Sequence, residues 1–373
     1  MINQTVKIEQ INIEPGKRIL VTSDIHGHLS YLKEVLKKAA FFDEDVLFIV
    51  GDMIEKGPES LNTLRYIMEL CKQGNVIPLI GNVDAYRLKL IYELSEENVY
   101  GFYNYVQNLR QWNGTSFYEE LAAECGYRIN NPEDILLSKS DVINHFENEF
   151  SFLANLPTIV ETQKYIFVHG GLRKKKVSDN SAGNIFELTK YDAFAENTHE
   201  IFDKYVIAGH WPVVLYGSDI PQMNPIINRE KRIISIDGGC GVKKDGQLNL
   251  LVIPDINCSV DDIFHISYDE IPTVCALDNQ NPSTDSVYIS WLNKEIRILS
   301  KGEEFSYIEH IKSGRKLHIP NSHIRNETEC YDYTDYLLSV SKGDMLSIIS
   351  RNSKGYIAKK DGIIGWYCGK ISN

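Results

Sequence analysis

The sequence holds no CxxC pair, and its seven cysteines, at 71, 125, 240, 258, 275, 330 and 368, fall at no disulfide-like spacing. An odd, scattered set excludes a disulfide-stapled scaffold and fits a reducing compartment. No stretch reaches the roughly 18 apolar residues that a membrane span requires. The opening MINQTVKIEQINIEPGKRI lacks a basic segment followed by an apolar one, so it does not read as a secretory signal. The expected setting is the cytoplasm, with no membrane partner. Positive charge is also scarce: 39 Lys and Arg against 51 Asp and Glu leave a formal charge of −12 and a pI near 5.4. A field of that sign repels nucleic acid and anionic membrane at long range, so neither is an expected partner. An anionic substrate would need a local positive centre.

What is present is enough apolar residue, 43%, to bury a sizeable core, in a chain of 373 residues that is long for one domain. From residue 17 to about 92, short β-branched runs alternate with amphipathic stretches: RILVTSDIHG, YLKEVLKKAAF, DVLFIVGD, SLNTLRYIMELCKQ, VIPLIGNVD. That alternation predicts βαβ units and an α/β sheet. Residues 85–155 turn to helix-period patterns rich in Tyr, Glu and Asn, which predicts a helical insertion. A second strand-rich stretch follows: KYIFVHGGL, KYVIAGHWPVV, RIISIDGG and QLNLLVI. Around 273–285 the Asn, Asp, Pro and Ser density reads as a linker. The expected organisation is a domain over 1–272 and a small β domain over 286–373, where LSKGEEFSYIE at 299–309 weakly echoes VSKGDMLSIIS at 340–350.

The polar residues at the ends of the apolar runs carry the chemistry. Asp24 and His26 follow RILV, Asp52 follows VLFIV, Asn82 follows VIPLI, His169 follows YIFV and His210 follows YVIAG. Each set has a glycine beside it, at 27, 51, 81, 170 or 209, where the backbone can approach closely. Loops at the carboxyl ends of strands converge on one crevice in α/β sheets. Three His, two Asp and one Asn, without thiolates, suit a pair of hard to borderline divalent ions, manganese first, with iron or zinc compatible. Two such ions can activate a hydroxide and clamp a phosphoryl group, with Asp52 between them balancing their repulsion. One buried histidine is ordinarily a packed core residue. Six candidate ligands at the ends of five strands are not explained that way.

SDIHGH, GDMIEKGPES, GNVD, VHGGL and AGH, in this order, resemble the motifs of the metallophosphoesterases, most of all the phosphoprotein phosphatase family and its bacterial members. WNGTSFYEEL, FLANLP and IISIDGGCG add to the likeness, which covers about residues 17–255. The resemblance implies a calcineurin-like α/β fold, two mixed sheets packed as a sandwich with helices outside. It implies Asp24 and His26 on a first metal, Asp52 bridging, and Asn82, His169 and His210 on a second.

The chain departs from the family at three places. GNVD stands where the family has GNHE or GNHD, so Val83 replaces the histidine that protonates the leaving alkoxide. GDMIEKG stands where the family has GDxVDRG, so Glu55 takes the place of the Asp that orients that histidine and Lys56 that of the phosphate-gripping Arg. Lys keeps the charge without the bidentate fork. The family's second phosphate-binding Arg has no counterpart in LTKYDAFAENTHEIF, although Arg87, Arg173 and Lys174–Lys176 are candidates to lie near the crevice. Asp84, His28 and His199 are the candidate replacement acids, with Asp84 alternatively orienting Asn82 and His28 a partner behind the ligands.

The tail 330–373 is similar to an SH3-like barrel, with Tyr331, Tyr333, Tyr336, Trp366 and Tyr367 either lining a peptide groove or filling the barrel core. Three functions follow. The leading one is a two-metal phosphoesterase acting as a Ser/Thr protein phosphatase, with a peptide or protein partner at the tail. The second is hydrolysis of nucleotides or dinucleoside polyphosphates, which tolerates a missing acid better. The third is a catalytically weak binding or scaffold protein on the same fold.

Overall fold

The computed structural model describes residues 5–372. The chain divides into two compact units, one made of residues up to Val213 with Pro225–Asp269, the other of Val214–Asn224 with the residues from Glu270 onward.

In chain order the first unit contains β1 (Ile8–Gln10), β2 (Ile19–Thr22), α1 (Leu29–Lys38), β3 (Val46–Val50), α2 (Ser60–Cys71), β4 (Val76–Leu79) and α3 (Asn82–Glu93). Four helices follow, α4 (Val99–Gln111), α5 (Phe117–Glu124), α6 (Pro132–His145) and α7 (Glu147–Asn155). Then come β5 (Ile159–Glu161), β6 (Tyr165–Val168), α8 (Ile185–Thr189), α9 (Phe194–Asn197), β7 (Tyr205–Ala208), β8 (Ile226–Asn228), β9 (Ile233–Ser235), β10 (Leu248–Ile253) and β11 (Phe264–Tyr268).

The strands form two mixed sheets, β11-β10-β2-β3-β4 and β1-β5-β6-β7-β9-β8. β2, β3 and β4 run parallel, as do β6, β7 and β9. Strand side chains alternate between faces, and here both faces are apolar. Ile19, Val21, Phe48 and Val50 meet Val160, Phe167, Ile207 and Ile234 of the other sheet in one buried cluster. Leu20, Leu47 and Ile49 face the opposite way, into a cluster with the helices. This is why the runs read as continuously hydrophobic. Phe48 and Phe167 stack at 3.8 Å between the sheets.

The helices form for local reasons. In α1 the buried residues are Leu29, Leu32, Val35 and Leu36, one face of a 3.6-residue period. α6 starts at a reciprocal cap: Asp134 N–H donates to Asn131 Oδ1 (2.9 Å), Asn131 N–H to Asp134 Oδ2 (3.2 Å), and Pro132 takes the first position, where no donor is needed.

The second unit is all β apart from short turns. Its four-stranded antiparallel sheet takes Thr273–Cys275, Met345–Asn352, Gly355–Lys360 and Ile363–Tyr367, beside a three-stranded sheet of Ile296–Ser300, Phe305–His310 and Lys316–Pro320. Residues 273–275, in the stretch with linker-like composition, thus lie in a sheet, where Val274 pairs with Leu346. Of the tail aromatics, Tyr333, Tyr336, Trp366 and Tyr367 are buried and Tyr331 is exposed. The Trp366 indole N–H donates to the Thr334 carbonyl (3.0 Å), as a buried polar edge must. Among the described residues no helix is long and apolar enough to cross a membrane.

Candidate metal centre

Parallel strands deliver their following loops to one edge. Asp24 follows β2, Asp52 follows β3 and Asn82 begins the helix after β4, all from one sheet, while His169 follows β6 and His210 follows β7 of the other. Backbone bonds lock the loops side by side: Asp24 N–H to the Gly51 carbonyl (3.1 Å), His26 N–H to Asp52 (2.9 Å) and Gly209 N–H to His169 (2.9 Å). Asp24, His26, Asp52, Glu55, Lys56 and His210 all have positive φ, between 47° and 76°. Such backbone costs about 1–3 kcal/mol per non-glycine residue and concentrates at functional sites. Two glycines are required by close approach. A Cβ on Gly81 would lie 2.2 Å from Asp52 N and Oδ1, and one on Gly209 2.3 Å from Asp24 Oδ2.

The side chains converge. One ligand atom each from Asp24, His26 and Asp52 lies within 4.8 Å of the others. His169 Nε2 is 3.3 Å from Asp52 Oδ1 and 4.0 Å from Asp24 Oδ1. The Asn82 amide atom turned inward lies 3.1 Å from His169 Nε2 and 2.8 Å from His210 Nδ1. As an N–H₂ it donates to both imidazoles, and as an oxygen it joins them as a third acceptor around one point.

Each histidine is held by its outer nitrogen. His169 Nδ1 faces the Val50 carbonyl at 2.7 Å, His26 Nδ1 the Ile54 carbonyl at 3.4 Å, and His210 Nε2 the Asp192 carboxylate at 2.8 Å. An outer N–H bonded in this way fixes the tautomer and leaves the inner lone pair for a ligand, the usual support around metal-bound imidazole. The donor set therefore fits divalent cations. Asp24, His26, Asp52, Asn82, His169 and His210 could hold them.

The electrostatics agree. Burial pushes the Asp24 carboxyl up to about 6 despite the nearby His169. Asp52 is buried too, yet the His169 imidazolium holds it well below the usual carboxylate range. Burial lowers His169 by itself, but the Asp52 and Asp24 charges outweigh it and raise the imidazole to about 10, so its inner nitrogen holds a proton that a bound cation would displace. Two buried carboxylates facing one point call for positive charge there. Burial and the Lys56 ammonium keep His26 neutral, and burial with His169 lowers His210 to about 4.

A sequence model of the calcineurin-like phosphoesterase family matches residues 17–231, more than half of the chain. The chain is a calcineurin-like phosphoesterase. Over 81 residues this phosphoesterase is 41% identical to a symmetrical bis(5'-nucleosyl)-tetraphosphatase of Buchnera aphidicola, a match covering 21% of this chain and 29% of that one. Over 97 residues it is 34% identical to serine/threonine-protein phosphatase 2 of Escherichia coli, covering 26% and 42%. The matched segments thus span less than half the length of these curated relatives. A solved protein serine/threonine phosphatase from Saccharomyces cerevisiae aligns over 73% of this chain and 86% of its own at 12% identity, with a TM-score of 0.41.

Around the centre the phosphoesterase places its other candidates as follows. Lys56 reaches inward, its Nζ 3.0 Å from His26 Nε2. Glu55 is fully buried and turned to Arg87: its Oε2 accepts from Arg87 Nε (2.9 Å) and from the Phe117 amide (3.0 Å). Asp84 faces the backbone. Its Oδ1 accepts from Met53 N–H (3.0 Å) and Ile54 N–H (3.3 Å), and its Oδ2 from Gly81 N–H (3.0 Å), so it clamps the loop carrying Asp52 onto the start of α3. His28 Nδ1 faces the His26 carbonyl at 2.9 Å. His199, Arg173 and Lys174–Lys176 are exposed, with Arg173 Nε donating to the Glu187 carbonyl and Lys175 paired with Asp203. Asp192, which holds His210, and the Arg87–Glu55 pair carry no sequence signature, because each joins residues from separate elements.

Proposed function

We propose that this phosphoesterase is a hydrolase in which Asp24 and His26 hold one divalent cation, Asn82, His169 and His210 a second, and Asp52 both. Manganese is the leading candidate, with iron or zinc chemically compatible. The observation that carries this reading is the set of three imidazoles pinned from outside, so that their inner nitrogens gather with two buried carboxylates and Asn82. When bound, the cations supply the positive charge that draws electrons from the phosphoryl group. Lys56 is positioned to bind a phosphoryl oxygen, and Glu55 and Asp84 act by positioning, Glu55 through Arg87 and Asp84 through the Asp52 loop.

Hydrolysis forms a bond from water oxygen to phosphorus and breaks the bond to the leaving oxygen, which departs with the electron pair. Val83, half-buried beside Asn82, has no proton to give that oxygen. Loss of a general acid costs about 10²–10⁴ in rate, most where the leaving group is a poor one such as a serine alkoxide. The reading therefore favours small phosphate anhydrides and aryl esters over phosphoserine. The second reading, a protein serine/threonine phosphatase acting on phosphorylated protein, draws its support from the similarity to the Escherichia coli phosphatase.

The test is phosphate release by the full chain with Mn²⁺ from p-nitrophenyl phosphate and from a phosphoserine peptide, with Asp52→Asn as control. The aryl ester should be turned over at least about 100-fold faster, and the variant should do neither. Equal turnover of the peptide would establish the second reading. Bound metal without turnover of either substrate would overturn both and leave a binding protein.

A further inference from the structure

A cavity of about 650 Å³ opens beside the candidate centre, and Lys56 and Asn82 belong to both. Its walls follow from helical spacing. Val83, Tyr86, Arg87 and Leu90 stand at i, i+3, i+4 and i+7 of α3, which is one face of that helix. α4 supplies Gly101, Phe102 and Tyr105 opposite, and α8 with its following residue supplies Phe186 and Lys190.

Two properties of this wall narrow what it fits. The first is charge. In a chain of net charge −12, the lining holds two lysines, Lys56 and Lys190, and no carboxylate, beside Arg87, whose charge is paired with the buried Glu55 behind it. The second is aromatic surface. The Arg87 guanidinium, fixed at Nε by Glu55, sits 4.7 Å from the Tyr105 ring and 4.9 Å from Phe102. Planar guanidinium and aromatic faces stack on flat rings and on one another. The volume lies within the roughly 300–1,000 Å³ of small-molecule sites and exceeds what a single phenyl ring fills.

We infer that this cavity binds the leaving portion of the substrate, an anion bearing a heteroaromatic ring: a nucleoside phosphate joined through an anhydride to the phosphoryl group at the centre. The inference rests on the hydrolase reading and names its substrate class. The ring lies among the α3 and α4 aromatics, and Lys56 and Lys190 meet the phosphate oxygens. A leaving group of this kind departs as an already stable phosphate anion, which agrees with Val83 at the wall. A phosphotyrosine side chain, the other ring-bearing candidate, has its only phosphate at the centre, brings none for Lys190 and leaves much of the volume empty.

Gly101 provides the test. It is exposed near the start of α4, has an ordinary helical backbone, and a Cβ there would meet nothing within 4 Å. Gly101→Trp adds bulk to the α4 wall of the cavity without replacing a metal-centre residue, and leaving glycine favours the helix. With Mn²⁺, phosphate release is measured from ATP and from inorganic tripolyphosphate, which has the anhydride but no ring. The wild type should show a KM for ATP at least about tenfold below that for tripolyphosphate. Gly101→Trp should raise the ATP value at least about tenfold more than it raises the tripolyphosphate value. Equal KM values in the wild type, or equal effects of the variant on both substrates, would overturn the cavity assignment while leaving the hydrolase intact. If neither substrate is cleaved the hydrolase reading fails instead. Calorimetric binding of ADP, lost in Gly101→Trp, would then still support the cavity, and absent binding to the wild type would refute it. Binding of free phosphotyrosine more tightly than ADP would also refute it.

Discussion

Arg87→Met removes one half of a buried ion pair. Glu55 is fully buried, Arg87 is 3% exposed, and they meet through Arg87 Nε and Glu55 Oε2 at 2.9 Å. The variant leaves Glu55 with the Phe117 amide on Oε2 and no partner on Oε1. Breaking a buried pair from one side costs about 3–5 kcal/mol, because the remaining charge is uncompensated. The lost guanidinium contacts with Phe102 and Tyr105 are worth about 0.5–1 kcal/mol each, partly replaced by the methionine. Making Glu55→Gln in the same chain removes the stranded charge and should recover at least about 2 kcal/mol of the loss. The assay is urea unfolding followed by helix circular dichroism, since every α-helix of the described residues lies in the first unit. A cost for Arg87→Met below about 1 kcal/mol, or a double variant equal to the sum of the single ones, would refute the argument that the pair is a coupled buried unit.

Other substitutions probe the loops and the acid position. Gly81→Ala places a Cβ 2.2 Å from Asp52 and should lower Mn²⁺ affinity at least about tenfold, whereas Gly101→Ala, in open space, should leave it unchanged; isothermal titration distinguishes them. Val83→His should raise phosphoserine peptide turnover less than about tenfold, short of the 10²–10⁴ of an oriented acid, because Glu55 already holds Arg87 and Phe117. A gain of about 100-fold would show that Glu55 is free to orient it. Burial pushes the Glu120 carboxyl up to about 7 although it accepts from the Ser60 and Leu61 amides. The folded state thus holds this proton more tightly than the unfolded chain, so stability falls as pH rises from about 4.5 to 7 and stays lower above. Glu120→Gln should flatten that part of the profile, read as urea midpoints at pH 5 and 8; an unchanged slope would assign it to other groups.

The strands and the loops that follow them were legible because β2, β3, β4, β6 and β7 are short, fully or almost fully buried runs that each end at a glycine-flanked polar residue. Asp24, His26, Asp52, Asn82, His169 and His210 are brought together by the parallel order of those strands, which the spacing of apolar runs already implied. The partners behind them were not legible. Glu55 reaches Arg87 across 32 residues and Phe117 across 62, contacts set by how α3 and α5 pack rather than by local pattern. Asp84 looked like an acid beside the site, but its position in the first turn of α3 lets it take three backbone amides instead. Val214–Asn224 joins the second unit through bonds such as Met223 N–H to the Gly362 carbonyl (2.8 Å), a distant pairing with no compositional sign.

The most direct test is calorimetric titration of chelator-treated protein with Mn²⁺, in the wild type and in His169→Ala, followed by p-nitrophenyl phosphate hydrolysis of each. Two bound ions with activity returning in the wild type, and the loss of one ion with the activity in the variant, are expected. A folded wild type that binds no Mn²⁺, or hydrolyses the ester equally well without it, would contradict a metal-dependent phosphoesterase built on these six residues.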